Sequence, residues 1–256
     1  MQSRFPADSN RFQTSARTMH TDEPLAGELW RVLDTGPGEP AWNMALDEAL
    51  LEHGSLDPRA VLRFYAWDRP AATFGYLQRY QVISELTALR PLIRRCTGGG
   101  LVSHSADWTY SVTAPAGHPW YRLKAVASYC RLHEWLCAAF RRVGVVTELA
   151  AVTDPVGPGQ CFIGSEEADL LLQGRKLAGA AQRRNRHGLL IQGSVQPPPP
   201  EVPVEAWRAA MISILREQGA RVEVVPGPSP LEVAVGDAAR RLNETKYSRP
   251  EYLQKR

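Results

Sequence analysis

The chain has 256 residues, 30 of them lysine or arginine against 27 acidic, and 44% are hydrophobic. That length supports one large domain or two small ones with a sizeable core, and the near balance of charge gives no electrostatic case for a nucleic-acid partner. No apolar run approaches the roughly 18 residues of a membrane span, and the cysteines at 96, 130, 137 and 161 form no CxxC pair, which reads as a reducing-compartment protein without a metal knuckle.

Residues 1–27 are polar, lack periodicity and contain no apolar secretory core, which predicts a disordered tail ahead of one domain over 28–256. A short strand is predicted at 29–33 and a break at 36–40. Pro40 suits the first turn of a helix whose core stripe is Trp42, Ala45, Leu46, Ala49 and Leu50, with Asn43, Asp47 and Glu48 off the stripe. Strands follow at 61–67 and 72–77, with Gly75 marking a close backbone approach. A strand at 92–96 enters the Gly98-Gly99-Gly100 turn, and 108–113 is the expected return strand. A helix is predicted over 123–142, then an exposed loop over 155–160. Residues 168–172 and 175–181 form a hairpin around Gln173-Gly174. A basic turn at 183–188 leads to a third strand at 189–195. Residues 197–200, four prolines, make a stiff connector. An amphipathic helix over 205–218, carrying Trp207, Met211, Ile214 and Leu215, is closed by Gly219. A strand at 222–225 and a helix at 231–242 complete the order. Hairpins mixed with helices predict an α+β fold, a mixed, largely antiparallel sheet flanked by helices.

Cys161 follows a proline- and glycine-rich loop and precedes a strand, and a nearby cation would lower its thiol from the ordinary value of about 8.5. A thiolate exchanges with a thioester at nearly balanced energy, and attack by an amine then gives an amide downhill, without ATP. Lys176 pairs with Leu171 in a two-residue hairpin. Strict alternation puts it on one face with Ala178, Ala180 and Gln182, leaving room for an elongated ligand, and sends Leu177 and Gly179 the other way. Its ammonium can stabilise a thiolate or donate to an acyl carbonyl. The three glycines admit close backbone approach, Thr97 adds a hydroxyl, and alternation lets only one of Arg94 and Arg95 face the site. His104 can orient a ligand or cap the turn. No GKS or GKT follows the glycines, so this is not a phosphate loop of that type. Each residue also has a plain structural reading: a buried apolar thiol, a solvated strand lysine, a flexible turn. Cys96 is read as a small strand residue.

WNMALDEALL (42–51), LRFYAWDRPAATFGYLQ (62–78), RRCTGGGLVSHSADWTYSV (94–112), CF at 161–162, GRKLAGAAQRR (174–184) and LIQGSV (190–195) occur in that order. The set resembles the biotin/lipoate protein ligase and octanoyltransferase family, most closely the LipM-type octanoyltransferases. The resemblance implies a class II synthetase-like catalytic domain over 28–256. It implies Cys161 as the acyl-carrying nucleophile and Lys176 as the positioning lysine. It also implies that Arg95, Thr97, Gly98, Gly99, Gly100 and His104 line the acyl pocket, with Gln78 nearby and Gly179 and Ala180 beside the lysine. The family often has histidine before a Gly-Ser pair, but Ile191-Gln192-Gly193-Ser194 carries none, so no imidazole role is expected at Ile191 or its neighbour. The implied reaction is cytoplasmic transfer of octanoyl from acyl carrier protein to a lysine of a lipoyl domain or a glycine-cleavage H-type protein. It needs no cofactor or metal and involves neither nucleic acid nor membrane. The alternatives are an ATP- and Mg-dependent lipoate ligase acting through lipoyl-AMP and a non-catalytic acyl-binding protein. Arg183, Arg184 and Arg186 read either as a docking turn for acidic partners or as solvated loop residues.

Overall fold

The computed structural model describes residues 25–153, 164–225 and 233–255. The tail expected over 1–27 lies almost wholly outside them, as do the 155–160 loop, Cys161 and residues 231 and 232 of the last expected helix. No helix among the described residues is long and apolar enough to cross a membrane.

In chain order the elements are β1 (Leu29–Gly38), α1 (Pro40–His53), β2 (Ala60–Trp67), β3 (Ala71–Phe74), α2 (Tyr80–Leu86), β4 (Leu92–Arg94), β5 (Val102–His104) and β6 (Trp108–Pro115). Then come α3 (Pro119–Arg122), α4 (Ala125–Arg142), β7 (Glu148–Leu149), β8 (Leu170–Leu172), β9 (Arg175–Asn185), β10 (Gly188–Val195), α5 (Val204–Glu217), β11 (Arg221–Val225) and α6 (Val233–Leu242). A π-helical turn (Asn243–Tyr247) and α7 (Pro250–Leu253) follow. The main sheet has the order β11-β1-β2-β6-β10-β9-β8-β7, and a smaller one has the order β4-β3-β5. β1 is parallel to β2 and to β11, and the other main-sheet pairs are antiparallel, which gives the mixed, largely antiparallel sheet expected.

Neighbouring residues of each central strand serve opposite layers, as the pleat requires. Val32, Phe64, Leu189 and Ile191 join Leu136, Phe140, Trp207 and Met211 in the core under α4 and α5. Leu33 packs with Leu46, Ala49 and Leu50 of α1 and Val235 of α6, and Tyr65 packs with Met44 and Ala45 of α1. Pro40 occupies the first turn of α1, and the Glu39 carboxylate accepts from Trp42 N at 2.9 Å.

Two expectations are corrected, and two features had no sequence signal. Asn43, Asp47 and Glu48, off the core stripe of α1, are themselves buried, because α1 lies between the main sheet and α6 and also touches β4. Asp47 accepts from Arg63 Nη1 (2.7 Å), Ser111 Oγ (2.7 Å), Gln192 Nε2 (2.7 Å) and Tyr65 OH (3.1 Å), so the buried charge is fully surrounded by donors. The residues expected at 92–96 and 108–113 do not pair with each other. β4 lies beside β3 in the small sheet, whereas β6 lies between β2 and β10 in the main one. The helix α2 carries too little apolar pattern to be read in advance, Ile83 being its only buried residue. Finally, the basic turn is shorter than expected, since β9 continues to Asn185. Arg183 donates to Cys96 O (3.0 Å), and Arg184 donates to Tyr121 O (2.6 Å) and Ser128 Oγ (2.7 Å), so these two arginines tie the fold together rather than form a free docking loop.

Candidate active site

The hairpin forms where its turn residues predict. Gln173 and Gly174 take φ of 52° and 72°, the left-handed pair that suits a two-residue connection, and Leu171 pairs with Lys176. The next registered pair is Leu170 with Ala178, so Leu177 is an extra residue, a β-bulge. The bulge inverts the phase expected from strict alternation. Leu177 and Ala178 are both buried in the core under α4 and α5, Ala180 packs against that core, and Gln182 bonds Ala125 and Ser128 of α4. Lys176 lies on the opposite face, over Gly179. A Cβ at Gly179 would stand 2.7 Å from Lys176 Cε, 2.9 Å from its Nζ and 3.1 Å from Asp169 Oδ1. Gly179 is therefore space for the lysine, while Ala180 points away from it.

Lys176 Nζ lies 2.6 Å from Asp169 Oδ2, with the lysine side chain 9% exposed and the aspartate 0%. Glu166 N donates to the same oxygen at 2.6 Å, and the Tyr129 hydroxyl donates to Oδ1. Registered pairing of β9 with β8 ends at Ala178, and the Ala180 N–H beyond it donates to Tyr129 Oη at 3.3 Å, so α4 closes this sheet edge. Burial, with the Asp169 charge beside it, pushes the Tyr129 phenol well up, which keeps it a donor. His133 Nδ1 lies 3.1 Å from Tyr129 O, and burial lowers its imidazole to about 4. Lys176 also borders an open depression of about 1130 Å³ lined by Asp107, Trp108, Gly164, Ser165, Leu172 and Pro197, among others. Thr153 Oγ1 contacts Glu166 Oε2 and Glu167 N, both at 3.3 Å, so the described chain on either side of 154–163 meets at one place.

The glycine turn is built by close backbone packing. A Cβ on Gly75 would fall 1.9 Å from Gly99 O, Gly99 has φ of 83°, and Tyr76 N donates to Thr97 O at 2.9 Å. Gln78 Oε1 accepts from Gly75 N at 2.9 Å, so this side chain braces the neighbouring turn. Arg95 is buried. Its Nη2 donates to Gly98 O (2.8 Å) and Gly100 O (2.9 Å), and its Nη1 to Thr73 Oγ1 (2.8 Å). Thr73 Oγ1 lies 2.8 Å from His104 Nε2, and His104 Nδ1 lies 2.8 Å from Asp107 Oδ2. The Trp67 ring stacks on His104 at 3.9 Å. His104 is thus held in a buried chain behind the glycine turn. Burial alone would raise the Asp107 carboxyl, but His104 and the Ser194 and Thr109 hydroxyls outweigh it and hold the group below its ordinary value.

Ser194 joins the two halves. It pairs with Gly179 across β9 and β10, and its hydroxyl donates to Asp107 Oδ2 at 2.7 Å. Lys176, Gly179, Ser194 and the chain leading through Asp107 and Arg95 to the glycine turn therefore share one face of the sheet. Thr97 Oγ1 donates to Gln192 Oε1 at 2.7 Å. Ile191 faces the core under α4 and α5, so Gln192 is the strand residue that reaches the glycine turn. Cys96 is buried against Leu51 and Leu190, and burial pushes its thiol up to about 12. Sequence reasoning passed over Asp169, Tyr129, Asp107 and Gln192. Only the DLLL run after Ala168 hinted at Asp169, as a charge opening a buried strand.

The fold is shared with lipoate-protein ligases of known structure. Lipoate-protein ligase A bound with ATP superimposes with a TM-score of 0.69 at 20% identity, over 89% of this chain and 98% of that one. A bipartite lipoate protein ligase from Thermoplasma acidophilum gives 0.63 at 19%, over 90% and 96%. The family model for the lipoyl protein ligase A/B catalytic domain matches residues 39–196, and the chain belongs to that family. Among curated relatives, octanoyltransferase LipM of Moorella thermoacetica is 38% identical over 180 residues, 67% of this chain and 66% of the relative. The LipM octanoyltransferase of Staphylococcus aureus is 34% identical over 183 residues, 66% of each. The matched stretch thus spans just under two thirds of these relatives' length.

Proposed function

We propose that the chain transfers octanoyl from acyl carrier protein to a lysine of a lipoyl domain or H-type protein in lipoate assembly, through a thioester on Cys161, without ATP, in the cytoplasm. The Cys161 thiolate attacks the carbonyl carbon of the donor thioester. A new sulfur–carbon bond forms as the donor's carbon–sulfur bond breaks, and the carrier leaves as a thiolate that takes up the proton released in ionising Cys161. The acceptor amine then attacks the acyl-enzyme, an amide forms as the Cys161 sulfur–carbon bond breaks, and the proton lost by the amine restores the Cys161 thiol. Lys176 supplies positive charge beside the thiolate and the developing oxyanion. The glycine turn offers close approach for the acyl chain, and the Arg95 brace keeps it rigid.

One observation carries this reading. Lys176, held by the buried Asp169, borders the same depression as Gly164 and Ser165. Cys161 precedes Gly164 by three residues in the sequence. The relatives named octanoyltransferase LipM support octanoyl transfer. The test is intact-mass analysis after incubation with octanoyl-carrier protein. One octanoyl group on Cys161, none in Cys161→Ala and none on the inert Cys96 thiol is the expected result. Pyrophosphate release dependent on lipoate, with transfer surviving Cys161→Ala, would replace the reading with that of a ligase.

A further inference from the structure

No side chain of α7 is fully buried, although Tyr252 and Leu253 pack partly against the cluster of Met44, Tyr65, Ile93 and Tyr247, and the backbone of 252–255 is tied to the interior by the buried Arg94 guanidinium. Arg94, at the end of β4, donates from Nε to Tyr252 O (3.1 Å) and from Nη2 to Leu253 O (3.0 Å) and Lys255 O (2.5 Å). The Tyr252 and Leu253 carbonyls belong to the last turn of a short helix, where no intrahelical donor remains and a cation is favoured, and Lys255 lies just past its end. The same guanidinium donates from Nη1 to Tyr76 O (2.8 Å) and Gln78 O (2.6 Å). Tyr76 and Gln78 belong to the turn that packs on the glycines, through Tyr76 N to Thr97 O and the contact of Gly75 with Gly99. A second anchor fixes the entry to this segment: Lys246 Nζ and Tyr247 OH meet Glu48 Oε2 of α1 at 2.5 and 2.8 Å. The Tyr247 and Tyr252 rings pack edge to face at 5.4 Å.

We propose that segment 249–255 is a latch on the glycine turn and that Arg94 is its positioning residue. Seating the segment spends three of the Arg94 bonds on the helix carbonyls and fixes the guanidinium, which then fixes Tyr76 and Gln78 against Thr97 and Gly99. Arg95 holds the glycine turn from inside, and Arg94 holds the adjoining turn from outside, so the two successive arginines brace the turn from opposite faces of β4. The latch stands on the geometry. Its consequence for acyl binding rests on the reading of the glycine turn as an octanoyl site.

The test compares the full chain with a chain stopped after Ser248 and with Arg94→Lys, which keeps the charge but cannot bridge five carbonyls. Hydrogen exchange is followed without substrate, and donor and acceptor KM and kcat are measured separately. Both variants should exchange at least about 10-fold faster at the amides of 75–78 and 97–101, with β10 protection unchanged, because local opening needs only those bonds to break. The KM for octanoyl-carrier protein should rise about 10-fold while that for the acceptor stays fixed. Unchanged exchange in the glycine turn would overturn the latch, as would loss of protection throughout the sheet, which would mark the segment as a general strut. Faster exchange confined to the turn, in a protein with no octanoyl transfer, would leave the latch standing and remove the functional reading instead.

Discussion

Gly179→Ala and Ala180→Gly separate the bulged strand from a regular one. The added methyl of Gly179→Ala would stand 2.7 Å from Lys176 Cε and 2.9 Å from Nζ, where ordinary carbon contacts need about 3.5–4.0 Å. Lys176 must retreat by about 1 Å, which carries Nζ from 2.6 Å to beyond hydrogen-bond distance of Asp169. Removing a partner from a buried ion pair costs about 3–5 kcal/mol. Here Asp169 keeps the Tyr129 hydroxyl and Glu166 N, and the lysine can swing into the open depression, so a loss of about 1–3 kcal/mol is expected. A catalytic group misplaced by about 1 Å loses about 100-fold in rate. Ala180→Gly removes a methyl from the α4 side and should cost about 0.5–1 kcal/mol with no change in transfer. Urea unfolding gives the stabilities, and intact-mass loading of octanoyl gives the rates. Wild-type loading in Gly179→Ala, or an equal loss of loading in Ala180→Gly, would refute the bulged placement of the lysine.

Two further outcomes follow from the same geometry. Gly75→Ala puts a methyl 1.9 Å from a backbone oxygen that cannot move aside, so it should cost about 3 kcal/mol in urea unfolding, whereas Gly98→Ala, with nothing within 4 Å, should be tolerated. His133 is buried with its imidazole lowered to about 4 from an ordinary 6.5. Between those values the unfolded chain binds a proton that the folded chain does not, so stability falls as pH drops from 6.5 to 4, by about 3 kcal/mol at most from this group. His118, buried and likewise lowered to about 4, contributes in the same window, so His133→Phe should reduce the slope rather than abolish it, and a slope unchanged in chemical denaturation would show that His133 is not a source.

The hairpin was legible because Gln173-Gly174 is a local signal: turn chemistry fixes the connection and its first pair, Leu171 with Lys176. The bulge one residue later was not, because Leu177-Ala178-Gly179 contains nothing that a regular strand forbids, and the extra residue is selected by burying Leu177 and Ala178 together. The core stripe of α1 was legible, but the burial of its other face was not, because an apolar stripe says nothing of what covers the remaining face, and here α6 and β4 do so. The glycines and Arg95 were legible as a turn, but the order of the small sheet behind them depends on pairing across distant segments that no local pattern encodes.

The polar residues that pattern reading set aside share a role. The side chains of Asp47, Asp107 and Asp169 are each almost wholly buried, and each carboxylate accepts at least three donors. Burying a carboxylate is costly even when it is paired, and apolar packing would often serve stability as well. Each of these three instead fixes one piece of the candidate site: Asp47 holds Gln192 and through it Thr97, Asp107 holds His104 and the brace on the glycine turn, and Asp169 holds Lys176. A candidate site that keeps a lysine and a glycine turn in register needs directional contacts, which hydrogen bonds to a fixed carboxylate provide and apolar contacts do not. That is why the strand register and the bulge matter to function: they bring Gly179 opposite Ser194, and so put two of the three carboxylates, Asp169 and Asp107, on one continuous path between the lysine and the glycine turn.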